Sequence, residues 1–173
     1  MAYKMVLKHH FEDKKLKEFL KNLPEAAMRV GWDKNQYEED EKGHPTIKTA
    51  YAAYLNEVGH DIIRNGKIVG HVVPRPFMSL TAETYQNSWK QAWRHLLRAY
   101  IVGKQKSFRG IMHQFCQLVI ENIRDMVERE RPFAPNRPSV SKRKNGRPPL
   151  VDTGIMMDKL THEIEIKGNY KGR

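Results

Sequence analysis

An α+β fold is predicted, with long antiparallel helices packed on a small, mostly antiparallel sheet and extended loops between them. Three observations point there. The runs from Ser79 to Val102 and from Ser107 to Met126 carry apolar residues at helical spacing, and so short a connection sets two such helices antiparallel. Asn65-Gly66 lies between two short β-branched runs, the pair that accepts the positive φ angles of a type I′ hairpin turn. Stretches rich in acid, or in proline and base, separate these elements and have no periodicity.

In chain order, Leu7, Phe11, Leu16, Phe19, Leu20 and Leu23 share one side of an amphipathic run that Pro24 stops, so 1–24 is read as an N-terminal helix. Ala26 to Trp32 is too short for a second helix and reads as a strand. The 33–45 stretch holds Asp33, Glu38, Glu39, Asp40 and Glu41 and is expected to be a solvated acidic loop. Ile47 to Val58 suits a short helix with Ala50, Ala53 and Tyr54 inward, ended by Gly59. The hairpin runs from Asp61 to Val69.

Pro74 and Pro76 then fix φ at two positions and bias Val73 and Arg75 away from helical geometry. The chain should enter the long helix on a stiff, extended path, with Phe77 and Met78 plugging its start into the core. Tyr85, Trp89, Trp93, Leu96 or Leu97, and Tyr100 form its apolar face, and Gly103 is its stop. Ser107 caps the next helix, which carries Ile111, Phe115, Leu118, Asn122, Ile123 and Met126 and ends before Pro132. Residues 131–149 combine prolines with Arg131, Arg137, Lys142, Arg143, Lys144 and Arg147 and contain no acid, a mobile basic arm. A short helix from Ile155 to Leu160 and an alternating strand from His162 to Lys167 complete a single domain, 1–173.

The length of 173 residues is enough for one domain with a real core and short for two. Charged residues make up 29% and no apolar run approaches a membrane span, so no membrane or secretory segment is expected. A single cysteine, Cys116, excludes an internal disulfide framework. The net charge of +11 permits binding to nucleic acid or another acidic surface, although the charge is spread along the chain.

The candidate chemistry is thin. Leu150-Val151-Asp152-Thr153-Gly154 resembles the catalytic loop of aspartic proteases, in which two aspartates share a proton. Ile155 follows where that family has a small residue, and the preferred reading is that Asp152 or Thr153 caps the helix that Gly154 begins. His113 and Cys116 share a helical face but have no second pair at ligand spacing, so a buried cysteine beside a surface histidine is expected. His9 and His10 are adjacent and diverge on a helix. No phosphate-binding or dinucleotide glycine motif is present. Trp89, Trp93 and Tyr100 are read as core rather than as a base-stacking platform. No catalytic, metal-binding or cofactor-binding residue is assigned, and no enzyme activity is expected.

Four patches occur in order: Asn56-Glu57-Val58-Gly59 with Tyr54-Leu55 before it, Pro74-Arg75-Pro76-Phe77, the basic run Ser141 to Gly146, and Pro148-Pro149-Leu150-Val151-Asp152-Thr153-Gly154. Together they resemble the tail-completion (minor tail, head–tail joining) proteins of tailed bacteriophages, the group that includes the minor tail protein Z of phage lambda. Val58 stands where that family carries an aromatic residue. The resemblance implies a structural virion protein at the neck, made in the host cytoplasm and active through protein contacts. Its implied partners are itself, in a ring expected to be hexameric, and neck or connector, tail-tube or tail-terminator proteins. It implies neither catalysis nor a cofactor.

Partner contacts are expected from two oppositely charged segments. The stretch 33–41, with Glu38, Glu39, Asp40 and Glu41, has a net charge of −4, and 137–149, with Arg137, Lys142, Arg143, Lys144 and Arg147, has +5. Such patches would steer the head-to-tail contacts of a ring. The alternative reading is a nucleic-acid-binding protein that uses 131–149, with non-specific DNA contact.

Overall fold

The computed structural model describes residues 21, 25–39, 42–130, 133–143, 146–147, 149–150 and 154–167. The expected 1–24 helix, apart from Lys21, lies outside the described residues, as do His9 and His10.

The α+β prediction holds, but the strands form three separate two-stranded antiparallel pairs. The first, β1 (Ala26–Gly31) with β6 (Thr161–Ile166), joins two ends of the described chain. Arg29 lies 3.1 Å from the Glu165 carboxylate across this exposed face. The other face packs on the second long helix, with Ile164 buried and Met28, Val30 and Ile166 partly buried.

The expected acidic loop is instead the second pair. Strand β2 (Tyr37–Glu39) runs antiparallel to β3 (Pro45–Lys48). Its strand character comes from long-range contacts that local composition does not carry: Lys159 Nζ lies 3.0 Å from the Glu39 carboxylate and also donates to the Tyr37 carbonyl. Thr46 Oγ1 donates to the Glu38 carbonyl. Because β3 takes Ile47 and Lys48, the following helix α1 begins at Thr49 and runs to Val58.

The third pair is the expected hairpin, β4 (His60–Arg64) and β5 (Lys67–Val72). Asn65 and Gly66 take φ of 49° and 73°, the left-handed pair that a type I′ turn requires.

The long helix α2 spans Phe77–Ile101, two residues earlier than the periodicity indicates. Pro76 is the reason. Its φ of −76° and ψ of 60° make an inverse γ-turn in which Phe77 N donates to the Arg75 carbonyl at 2.8 Å. The Pro76 carbonyl then accepts the first helical bond from Leu80 N. At the far end Gly103, at φ 77°, donates to the Tyr100 carbonyl.

Helix α3 (Phe108–Asp125) is capped by the Ser107 hydroxyl, which accepts from Gly110 N at 3.0 Å, and continues as a π-helical turn over Met126–Glu130. Contacts between α2 and α3 descend along one helix as they ascend the other: Tyr100 with Phe108, Trp93 with Phe115, and Trp89 Nε1 with Asn122 Oδ1. The two are therefore antiparallel. Trp89 and Trp93 are buried and Tyr100 packs on the core, so the aromatic face is structural. Cys116 is fully buried, and desolvation pushes its thiol up to about 11, which keeps it protonated and inert.

His113, exposed on α3, does not stand alone: its Nδ1 lies 2.6 Å from Nε2 of His162 on β6. One ring must donate and the other accept, so a second proton would face two donors. Burial, and then the charge of His113, lower the pKa of His162 below its ordinary 6.5. The folded state therefore binds fewer protons than the unfolded one as pH falls through 6.5, and stability falls with it. We expect melting temperature to decline below that pH and the decline to be shallower in His162→Gln. An identical pH profile in the variant would assign the acid sensitivity elsewhere.

Candidate functional site

Two of the sequence patches meet in one rigid junction. Glu57, near the end of α1, turns its carboxylate onto the start of α2. It accepts from Met78 N and Ser79 N, each at 2.9 Å, and from the Ser79 hydroxyl. The first turn of a helix presents backbone N–H groups with no intrahelical partner and the positive end of its dipole, so a buried carboxylate is the natural cap. The Asn56 carbonyl accepts from Arg75 N at 2.8 Å, while the Asn56 side chain donates to the Ala52 carbonyl.

Gly59 makes the crossing possible. A Cβ there would sit 2.6 Å from the Val72 carbonyl oxygen and 2.8 Å from Pro74 N. Pro74 and Pro76 thus steer the chain past Gly59, as a stiff approach requires. Phe77 is then driven fully into the core, edge-on to Trp32 at 6.3 Å between ring centroids.

The junction forms one wall of a cleft of about 840 Å³. Arg75 lines it and is only 8% exposed. Its Nε donates to the Ala134 carbonyl and its Nη2 to Asn136 Oδ1, both at a long 3.4 Å, and no carboxylate among the described residues pairs with it. Burial lowers its pKa from the ordinary value. Arg137 crosses from the other side and donates to the His71 carbonyl on β5 at 3.1 Å. Asn136 Nδ2 in turn donates to the Arg147 carbonyl.

Over residues 134–143 these contacts correct the expectation of a mobile arm at 131–149, whose residues 131–132, 144–145 and 148 lie outside the described residues. Residues Ala134 to Arg137 are docked on the body, and Pro138–Arg143 is a short helix, α4. The segment sits here because Arg75 donates to Ala134 and Asn136 and the His71 carbonyl on β5 accepts from Arg137, a long-range complement that its local sequence does not reveal. Lys142 and Arg147 are exposed. Glu38 lines the cleft, and Glu39 is the partner of Lys159. Asp40, Glu41, Lys144, Asp152 and Thr153 lie outside the described residues, as does the side chain of Arg143. Gly154 itself, at φ 89°, starts helix α5 (Ile155–Asp158), its carbonyl accepting from Met157 N and Asp158 N.

No family model, no curated protein and no solved structure matches the chain. The phage-tail resemblance therefore rests on the four patches alone. Among the described residues no helix is long and apolar enough to cross a membrane, and no three metal-binding side chains cluster.

Sequence reasoning missed one surface. Among the described residues the β4–β5 hairpin pairs with itself and has no other element packed extensively against it. Yet Ile63 and Ile68, direct cross-strand partners, are 65% and 66% exposed, and Val69 is 57% exposed. The signal was present in the β-branched runs beside Asn65-Gly66, but those runs are read as strands without saying what covers them. On α1, Tyr51 and Tyr54 stack at 6.4 Å and are exposed, as is Val58.

Proposed function

We propose that this chain is a structural virion protein of a tailed bacteriophage that completes the tail or joins head to tail at the neck, acting as a ring of identical copies without catalysis or cofactor. The projecting hairpin carries the reading. Paired isoleucines left in water on a narrow arm are the mark of a surface covered by another protein. A ring needs head-to-tail contacts, in which one patch meets a different patch of the next copy. The hairpin and the Tyr51–Tyr54–Val58 face of α1 are two such apolar patches. The connector, tail-tube or terminator proteins are the other partners. Ordered motifs that lock one segment to another, as at Asn56, Glu57 and Gly59, suit a part whose task is to hold geometry.

Replacing Ile63 by lysine and Ile68 by glutamate, an opposite-charge cross-strand pair, is expected to leave the melting temperature nearly unchanged, since exposed positions contribute within about 0.5 kcal/mol. Self-association, followed by light scattering or by incorporation into tails, should be lost. Undiminished assembly would remove the hairpin from the interface, and absence of the chain from purified virions would overturn the reading as a whole. DNA affinity that falls steeply with salt would instead support binding through 131–149. Against that alternative, Arg137 and Asn136 are engaged in holding this segment to the body.

A further inference from the structure

We infer that the cleft beside Arg75 is a binding site for a carboxylate carried on an apolar-flanked segment of a partner protein. Arg75 is the reason. A guanidinium has five N–H donors, and here two of them reach neutral oxygens at 3.4 Å, the outer limit of a hydrogen bond. Its Nη1 makes no hydrogen bond to the described residues. A charge withdrawn from water with no counter-ion among the described residues is costly, and the cost is recovered when an anion arrives to complete the pair.

The surroundings select the anion. Among the described residues Arg64, Arg75 and Arg137 line the cleft against one carboxylate, Glu38, so their combined field favours an anion. Val72, Val140, Leu150 and Met156 line it too, and would be left facing hydrated phosphates if a nucleic-acid backbone entered. An acidic side chain between apolar neighbours satisfies both sets of groups. The volume of about 840 Å³ suits a few residues of peptide. Arg137, already donating to His71, braces the β5 wall of the cleft.

The site deepens the assembly reading and rests on it only for the source of the peptide. It is tested on the isolated full chain, so the two can fail separately. The probe is an array of short peptides with Asp, Glu, Asn or Gln at the centre and varied apolar flanks, followed by titration of the bound ones. Carboxylate-centred peptides should bind, and the matched amide peptides should bind about tenfold or more weakly, the loss of a charge-assisted bidentate pair. Arg75→Met should weaken the carboxylate peptides to the level of the amides while the unliganded variant still folds, the loss of the two long bonds to Ala134 and Asn136 being offset by removal of a buried charge. Should Arg75→Met fail to fold, the neutral Arg75→Gln serves, with the same expected loss of discrimination between acid and amide. Equal binding of acid and amide, undiminished binding by the variants, no bound peptide at all, or displacement of the peptide by an oligonucleotide at lower concentration would each overturn the inference.

Discussion

Glu57→Ala is expected to lower stability by about 3–4 kcal/mol, among the largest single losses available in this chain. The substitution leaves the N–H groups of Met78 and Ser79 without their acceptor at the start of α2, one of them buried. Each orphaned buried donor costs about 1–3 kcal/mol, and bonds to a charged group lie toward the upper end. The carboxylate also faces the positive end of a 25-residue helix, and that term disappears with it. Glu57→Gln separates the two contributions. It keeps one acceptor oxygen and the packing but loses the charge, and should cost about 1–2 kcal/mol. In urea or thermal unfolding the order should be parent, then Gln, then Ala, with Ala melting lower by about 6–16 °C for a chain of this size. A loss below about 1 kcal/mol for Glu57→Ala would mean that water replaces the cap and that the junction is not rigid.

Gly59→Ala should be comparably damaging for a different reason. Gly59 takes φ 73° and ψ 169°, a region essentially closed to residues with a Cβ and worth about 1–3 kcal/mol of strain. Steric overlap adds to it: the new methyl would meet the Val72 carbonyl at 2.6 Å and the Pro74 ring at 2.9 Å, both backbone or ring atoms that cannot swing aside. Overpacking of that kind costs a further 1–3 kcal/mol or so. Gly66→Ala is the control. Gly66 has the same φ of 73° with nothing within 4 Å of a built Cβ, so it should cost only about 1 kcal/mol. Unfolding free energies that are equal for the two variants would show that neither the extended ψ of Gly59 nor the close approach of α1 to the Pro74 segment adds to the cost of a positive φ, and that the crossing is soft.

Much of the local structure was legible in the residues. The apolar spacing of α2 and α3, the Ser107 cap, the Asn65-Gly66 turn and the Gly103 stop each depend on a few neighbouring side chains, and local chemistry is what a sequence displays. The β2 strand was not legible. Its acids resemble a solvated loop, and what pairs it is a β3 partner and Lys159, which stands 120 residues from Glu39. The docking of Ala134 to Arg137 was hidden in the same way, since Arg75 and His71 lie about 60 residues earlier.

The candidate site divides along the same line. Sequence alone singled out Pro74 and Pro76 by their fixed φ, Gly59 as a helix stop and Phe77 as a core plug, while Asn56, Glu57 and Arg75 stood out only in the patches that carry the resemblance. It could not say that Glu57 caps α2 or that Gly59 is overlain by Pro74, since both depend on two segments meeting in space. Only the tertiary structure decided that Arg75 is buried with no carboxylate partner among the described residues and that Ile63 and Ile68 remain in water. Burial and exposure belong to the packed chain: a residue type sets what a side chain prefers, and the other elements decide whether that preference is met.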